Sequence, residues 1–114
     1  MMELENFLID DKLNLKRIIY YTKLPNGEIE YNGVLYADNG GTMLAQSISK
    51  NLNDYYNLER EAVKLFQDGK IHCADCGKIM NYEENRRHRY FAGLYCDECW
   101  NGKWKAIEAE ETYN

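Results

Sequence analysis

A chain of 114 residues with a formal net charge of −5 and 13% aromatic residues is long enough for one small core, or for a small core with an appended module. Its acidity argues against general nucleic-acid binding, because phosphate backbones attract positive protein surface. No run approaches the about 20 apolar residues of a membrane helix. The first residues, MMELENFLIDD, lack the basic start and apolar stretch of a signal peptide, so we expect a cytoplasmic protein.

Residues 1–13 give no strong signal, and the next segment, residues 16–37, predicts antiparallel β-structure. Its pieces KRIIYYTK, EIEY and VLYA are rich in the β-branched and aromatic residues of half-buried strands. Pro25-Asn26-Gly27 predicts a turn, and Asn32-Gly33 is a hairpin signal. Two or three strands fit this pattern, and two strands with a bulge at Gly33 are the alternative.

A helix is predicted from about Thr42 to Asp68, after the break at residues 38–41. Apolar residues recur there at spacings of three and four, as one buried helix face requires: Leu44, Ile48, Leu52, Tyr55, Tyr56, Val63 and Phe66. Asn53-Asp54 divides this stretch into two helices in the alternative interpretation. Gly69 is expected to end it.

Four cysteines follow in the pattern Cys73-x₂-Cys76-x₁₉-Cys96-x₂-Cys99. Two CxxC pairs at this separation are typical of tetrahedral zinc, since a two-residue gap lets both sulfurs of a pair face one ion. In a reducing cytosol such pairs are metal ligands more often than disulfides. Four sulfur ligands leave no open position for water, so we expect one structural Zn²⁺ rather than a catalytic ion.

Residues 71–111 resemble a treble-clef or zinc-ribbon module. In that resemblance HCADCGK forms the first knuckle, IMNY and HRYFAGLYC form the two arms of a hairpin, and CDECW forms the second knuckle. The second knuckle opens a helix from Trp100 to about Glu111, which favours the treble clef over the ribbon. Trp100, Trp104 and Ile107 share one face of that helix, where the tryptophans are expected to pack over the knuckles.

The predicted fold class is therefore α+β. An N-terminal antiparallel hairpin or meander precedes a central helix, or two helices, and a C-terminal zinc module ends in a helix. The expected division is residues 1–70 for the hairpin and helix region and residues 71–114 for the zinc module, with one compact unit as the alternative. The resemblance specifies a fold and a metal and says little about function.

Other roles for the same residues are disfavoured. His72 is an alternative ligand, but four thiolates already complete the coordination sphere. A redox dithiol at Cys96 and Cys99 would need a strand–helix–strand frame, and the second CxxC pair argues against it. A nuclease of the HNH kind would need its histidines in a long stretch between the pairs, which is only 19 residues here. Since no nucleophile–base pair or phosphate loop stands out, we expect no enzymatic activity.

The most cationic window lies between the cysteine pairs, in residues 85–90. Arginine next to aromatic residues suits phosphate contact and base stacking. Candidate contacts to nucleic acid or to a protein partner are Arg86, Arg87, His88, Arg89 and Lys103. The alternative is a hairpin tip that is charged for solubility, in which Glu83 and Glu84 pair with the arginines at small net gain.

Two non-enzymatic functions fit this sequence. One is a protein-binding module, since tyrosine and arginine concentrate binding energy at interfaces. The other is a zinc-dependent nucleic-acid-binding regulator of transcription or replication. We favour the first. The short acidic chain looks like a phage or prophage accessory protein and is similar in general character to zinc-containing anti-CRISPR proteins. That resemblance implies a stoichiometric inhibitor of a host defence nuclease such as Cas9, acting in the host cytosol.

Overall fold

The structure, a computed structural model, describes residues 1–103. Strands β1 (Met2–Asp10), β2 (Leu15–Lys23), β3 (Ile29–Ala37) and β4 (Thr42–Ser49) form one antiparallel sheet in that order. The elements that follow this sheet in the chain are α1 (Leu52–Gln67), β5 (Lys70–His72), β6 (Ile79–Asn81), α2 (Tyr82–Asn85), β7 (Arg89–Tyr90), β8 (Gly93–Leu94) and a helix, α3, over residues 97–103. The sheet followed by helices confirms a mixed α and β architecture. Within residues 1–103, none of the helices combines the length and apolar character needed to cross a membrane.

Strand β1 occupies the N-terminal segment for which the sequence gives no clear prediction. Most of its side chains are exposed, so the period-2 burial that marks a strand in sequence is missing. The turn into β2 does carry a local signal. The Asp10 carboxylate accepts hydrogen bonds from the backbone N–H of Lys12 (2.9 Å) and Leu13 (3.1 Å), and Asn14 adopts a left-handed φ of 57°.

Strands β2 and β3 form the predicted hairpin, with its turn at Pro25-Asn26-Gly27. Gly27 has a φ of 89°, and its N–H donates to the Leu24 carbonyl at 2.9 Å. The β2–β3 register runs without interruption through Gly33, so Asn32-Gly33 is neither a turn nor a bulge. The glycine is there because the Tyr55 ring lies directly against the sheet at that point: a Cβ built on Gly33 would lie 2.5 Å from Cγ of that ring.

The prediction of one helix, or two, from Thr42 to Asp68 is wrong over residues 42–49, which form β4. The residues Leu44 and Ile48 are four apart, and that spacing fits one face of a strand as well as one face of a helix. Pairing with β3 decides in favour of the strand. The helix begins at Leu52 after Asn51, whose side chain accepts from the Asn53 N–H at 3.0 Å.

Helix α1 is continuous through Asn53-Asp54 and ends where the sequence predicts, next to Gly69 with its φ of 72°. Its most buried side chains are Tyr55, Glu59 and Ala62, at i, i+4 and i+7. This face packs against β3 and β4.

One hydrophobic cluster joins the sheet, α1 and the cysteine-containing segment. Its buried members are Leu15, Leu35, Ala37, Leu44, Ala62, Ile71, Cys73, Met80, Tyr82, Leu94 and Cys96. The cluster thus draws on both sides of the boundary at residues 70 and 71, so cysteine geometry and core packing are coupled. The division into two regions stays a prediction.

The buried charge of Glu59 is compensated by Arg17, whose Nε and Nη2 donate to it at 3.0 and 2.8 Å. Because Glu59→Gln keeps the shape but removes the charge, we expect the free energy of unfolding to fall by about 2 kcal/mol. Urea denaturation measures it. The matched control is Glu28→Gln, from the exposed pair with Lys50, which should change stability by less than about 0.5 kcal/mol. Equal effects of the two changes would contradict this prediction.

Candidate metal centre and adjoining aromatic hairpin

The first cysteine pair lies in the turn that joins β5 to β6. The Cys73 N–H donates to the Lys78 carbonyl at 2.8 Å, and the Gly77 N–H donates back to the Cys73 carbonyl at 3.0 Å. Gly77 has a φ of 78°, a conformation in which glycine is favoured. This tight turn directs two sulfurs to one point.

The second pair lies at the start of α3. The Cys96 carbonyl accepts the first helical hydrogen bond, from the Trp100 N–H at 2.8 Å, and Cys99 follows one turn later. The Cys96 N–H donates to the Cys73 sulfur at 3.4 Å, which ties the helix start to the first turn. Helix geometry thus brings the second pair of sulfurs to the first.

The four Sγ atoms of Cys73, Cys76, Cys96 and Cys99, here called the cysteine cluster, lie within 4.8 Å of one another. All four cysteines are free. A tetrahedral zinc ion with Zn–S bonds of about 2.3 Å holds its sulfurs about 3.8 Å apart. The Cys76–Cys96 separation is 3.8 Å. The donor set and its spacing therefore fit one four-coordinate metal ion such as zinc.

The sulfur of Cys73 has the most favourable surroundings for a thiolate. Burial raises the pKa of this thiol, but hydrogen bonds from the backbone of Cys76, Cys96 and Asp75 outweigh burial and lower it to about 6. At the rim, the neighbouring Cys96 thiol raises the pKa of Cys99, with burial as the next cause. Backbone donors directed at a sulfur favour the thiolate, which is the form that binds metal.

His72 lies next to the cluster but outside it. Its Nδ1 is 2.9 Å from the Gly77 carbonyl, and its Nε2 is 3.9 Å from a Glu61 carboxylate oxygen. The ring is thus held by the turn, and the cluster of potential ligands in residues 1–103 contains the four cysteines and no histidine.

The predicted hairpin between the knuckles is wrong in its pairing. The arm IMN pairs with Lys70–His72, the strand before the first cysteine, rather than with the segment after residue 88. The arm HRYFAGLYC folds on itself as β7 and β8, with Arg89 opposite Leu94. The β5–β6 hairpin therefore flanks the turn that carries the first cysteine pair, and the β7–β8 hairpin lies just before the second pair.

The candidate contact residues of the cationic window have different surroundings. Arg89 donates to the Gly41 carbonyl and, at 2.6 Å, to the Thr42 hydroxyl, and so joins β7 to the start of β4. Arg86 is exposed, lies 5.8 Å from the Tyr82 ring centroid and is 3.5 Å from Glu83. Arg87 is exposed in the turn after α2.

The other two candidates pack against aromatic rings. The His88 ring stacks on Trp100 with centroids 5.4 Å apart, and its Nδ1 is 3.2 Å from the Tyr95 carbonyl. The Lys103 ammonium lies 4.8 Å from the Tyr90 centroid and 4.9 Å from that of Tyr95. Trp104, Ile107 and the predicted end of the helix near Glu111 lie outside the described residues.

The turn between β7 and β8 presents two aromatic side chains, Tyr90 and Phe91, here called the aromatic tip. Their rings meet edge to face at 4.6 Å. Phe91 is 86% exposed and has a φ of 54°, a left-handed conformation that bulky residues rarely adopt. The Met43 N–H donates to the Ala92 carbonyl at 2.7 Å and fixes the tip to β4.

Sequence reasoning misses the contact that links the turn between β3 and β4 to α2. Asp38, with a φ of 54°, accepts hydrogen bonds from the hydroxyls of Thr42 (2.8 Å) and Tyr82. Asp38-Asn39-Gly40-Gly41 does signal a turn, but a partner 44 residues away in the chain leaves no local trace.

Comparison of the chain with known protein families, with curated proteins and with solved structures gave no match. The resemblance to treble-clef modules therefore rests on the cysteine pattern itself.

Proposed function

We propose that the cysteine cluster binds one structural zinc ion and that residues 71–111 are a treble-clef module. The order of elements supports this: a turn with the first CxxC pair, a second hairpin, then a helix that opens with the second pair. When bound, the ion supplies cross-linking rather than catalysis, since four thiolates close its coordination sphere. A cytosolic location, where thiols stay reduced, belongs to the same proposal.

We further propose that the protein is not an enzyme and acts by stoichiometric binding to another protein. The observation that carries this is the aromatic tip. Phe91 gains little from folding, because it is almost fully exposed, and its left-handed backbone costs about 1 kcal/mol or more. Aromatic side chains held rigidly at a surface are the anchors that dominate protein interfaces.

Nucleic-acid binding is the weaker alternative. Arg89 and His88 are engaged with β4 and Trp100, which leaves Arg86 and Arg87 as the outward-facing cations of the window. Two exposed arginines on a chain of net charge −5 give little attraction for a phosphate backbone.

Because the chain is similar in general character to zinc-containing anti-CRISPR proteins, the first candidate partner to test is Cas9 in complex with its guide RNA. We expect DNA cleavage by that complex to stop at about one inhibitor per nuclease. Phe91→Ala should weaken the inhibition by about a hundredfold, as for an interface anchor. Ile79→Ala removes another exposed apolar side chain and serves as the matched control.

Affinity capture from the host lysate, with and without nuclease treatment, separates the two functions when Cas9 is not the target. A single stoichiometric protein that survives nuclease, and that Phe91→Ala fails to capture, supports the proposal. Nucleic acid recovered alone, and lost from Arg86→Glu/Arg87→Glu with an unchanged melting curve, would establish the regulator instead.

A further inference from the structure

The free edge of the sheet is β1. Within residues 1–103 this strand pairs with β2 alone and ends the order β1-β2-β3-β4. The opposite edge strand, β4, is partly covered, because the Met43 N–H bonds to Ala92 and both β5 and β8 lie against it. A nine-residue open strand presents backbone N–H and C=O groups that can pair with another chain.

The edge strand β1 is only partly protected: Glu3, Glu5 and Asp10 carry charge and a register shift lies on each side of residues 5–8, but its apolar side chains stay exposed. Lysine and proline commonly blunt edge strands, and MELENFLID contains neither. The strand instead exposes four large apolar side chains: Met2, Leu4, Phe7 and Leu8. The pairing of β1 with β2 shifts register on each side of residues 5–8. Residues 5–8, which include Phe7 and Leu8, therefore form the regular part of the strand.

We propose that β1 pairs antiparallel with β1 of a second copy of this chain. A two-fold axis normal to the sheet requires paired side chains to point to the same face, so the axis passes through one residue. An axis through Glu5 would place two carboxylates in direct opposition. An axis through Asn6 or Phe7 places no carboxylate opposite another, and an axis through Phe7 pairs the two phenylalanine rings.

Two carboxylates of β1 are held by hydrogen bonds within the chain, and the one at the strand centre, Glu5, shares the Arg17 guanidinium with Glu59. Glu5 accepts a hydrogen bond from Arg17 Nη1 at 2.7 Å, and the Asp10 carboxylate accepts two from backbone N–H groups. The Cζ atom of the same guanidinium lies 5.7 Å from the centroid of the Phe7 ring. Apolar contact at the strand centre is therefore not opposed by unpaired carboxylates there.

A groove with both apolar and charged lining residues continues this surface. It has a volume of about 510 Å³, lies between β1, β2 and α1, and is lined by Ile9, Tyr56 and Val63 together with the charged residues Arg17, Glu59, Arg60 and Lys64. Arg17 lines the same groove, so the face of β1 that carries Phe7 opens onto it. The second copy's strand would extend the groove wall and exclude water from it, which adds apolar burial to the backbone pairing.

Sedimentation equilibrium of the zinc-loaded full chain tests this proposal. We expect a concentration-dependent species of twice the 13.5 kDa chain mass. Leu8→Glu should raise the dissociation constant about a hundredfold, because the symmetry places the new carboxylate in the interface twice. The matched control is Ile48→Glu, which adds the same charge to the opposite edge strand at a side chain that is 61% exposed, against 50% for Leu8.

Amide hydrogen exchange gives a second measurement that needs no variant. Protection of those amides in residues 5–8 that point away from β2 should rise with protein concentration in step with the dimer fraction. A chain that stays at 13.5 kDa at every concentration overturns the proposal. So does a dimer that Leu8→Glu leaves intact, that Ile48→Glu dissociates equally, or that forms without added protection in β1.

Discussion

Cys73→Ser is expected to lower the free energy of unfolding by about 3 kcal/mol or more, which corresponds to a fall in Tm of roughly 15 °C. The effect is large because the thiol is both a proposed metal ligand and part of the hydrophobic cluster shared by the sheet, α1 and the cysteine segment. Loss of the ligand removes metal-binding energy that is also folding energy. Thermal melting followed by circular dichroism, with zinc content by mass spectrometry, measures both.

Two further samples distinguish metal loss from a packing defect. Cys99 is only partly buried and is not among the buried residues of the hydrophobic cluster. A similar fall in Tm for Cys99→Ser therefore indicates loss of the metal rather than a packing defect. Removal of zinc from the wild-type protein with a chelator should lower its Tm by about as much as either serine substitution does. The control is His72→Ala, which should keep one zinc ion per chain and a Tm within a few degrees. An unchanged melting curve for either serine variant would contradict the structural metal site.

The parts of the fold that sequence predicts are those set by neighbouring residues. The β2–β3 turn depends on Pro25-Asn26-Gly27, and the end of α1 on Gly69. Each cysteine pair has its own spacing, so the cluster is predictable although its two halves are far apart in the chain. Strand β4 is not predictable in this way, because apolar residues four apart lie on one face of a helix and also on one face of a strand. Only the pairing with β3 determines that this segment is a strand.

The same distinction applies around the candidate site. Arg89 is one of several arginines in the sequence, and only the meeting of β7 with β4 gives it the Thr42 hydroxyl as acceptor. The sequence predicts that IMNY pairs with HRYFAGLYC, because these two arms follow one another along the chain. In the structure, IMN pairs instead with Lys70–His72, which closes the first knuckle. The contact of Arg89 with Thr42 joins residues 47 apart in the chain and is not encoded in any short window of sequence, whereas the pairing of IMN with Lys70–His72 is local and is a choice between two hairpins of similar length.

Gly33→Ala is expected to lower the free energy of unfolding by about 2 to 3 kcal/mol, against the usual sign for such a change. In an open strand position alanine stabilises by about 0.5 to 1 kcal/mol, since it restricts the unfolded chain more than glycine does. Here the new Cβ would lie 2.9 Å from Cε1 of Tyr55 and nearer still to Cγ and Cδ1. Tyr55 is 1% exposed and cannot move aside without displacing α1 from the sheet.

Urea denaturation of a double-mutant cycle tests that cause directly. In a Tyr55→Leu background the ring is gone, so we expect Gly33→Ala to cost less than about 1 kcal/mol, a coupling of at least about 1 kcal/mol. Gly102→Ala is the control: no atom of residues 1–103 lies within 4 Å of its added Cβ and the residue is helical, so alanine should stabilise by about 0.5 to 1 kcal/mol. A cost for Gly33→Ala that persists without the ring would mean that the close approach of Tyr55 is not what requires glycine, and that the backbone of β3 itself does.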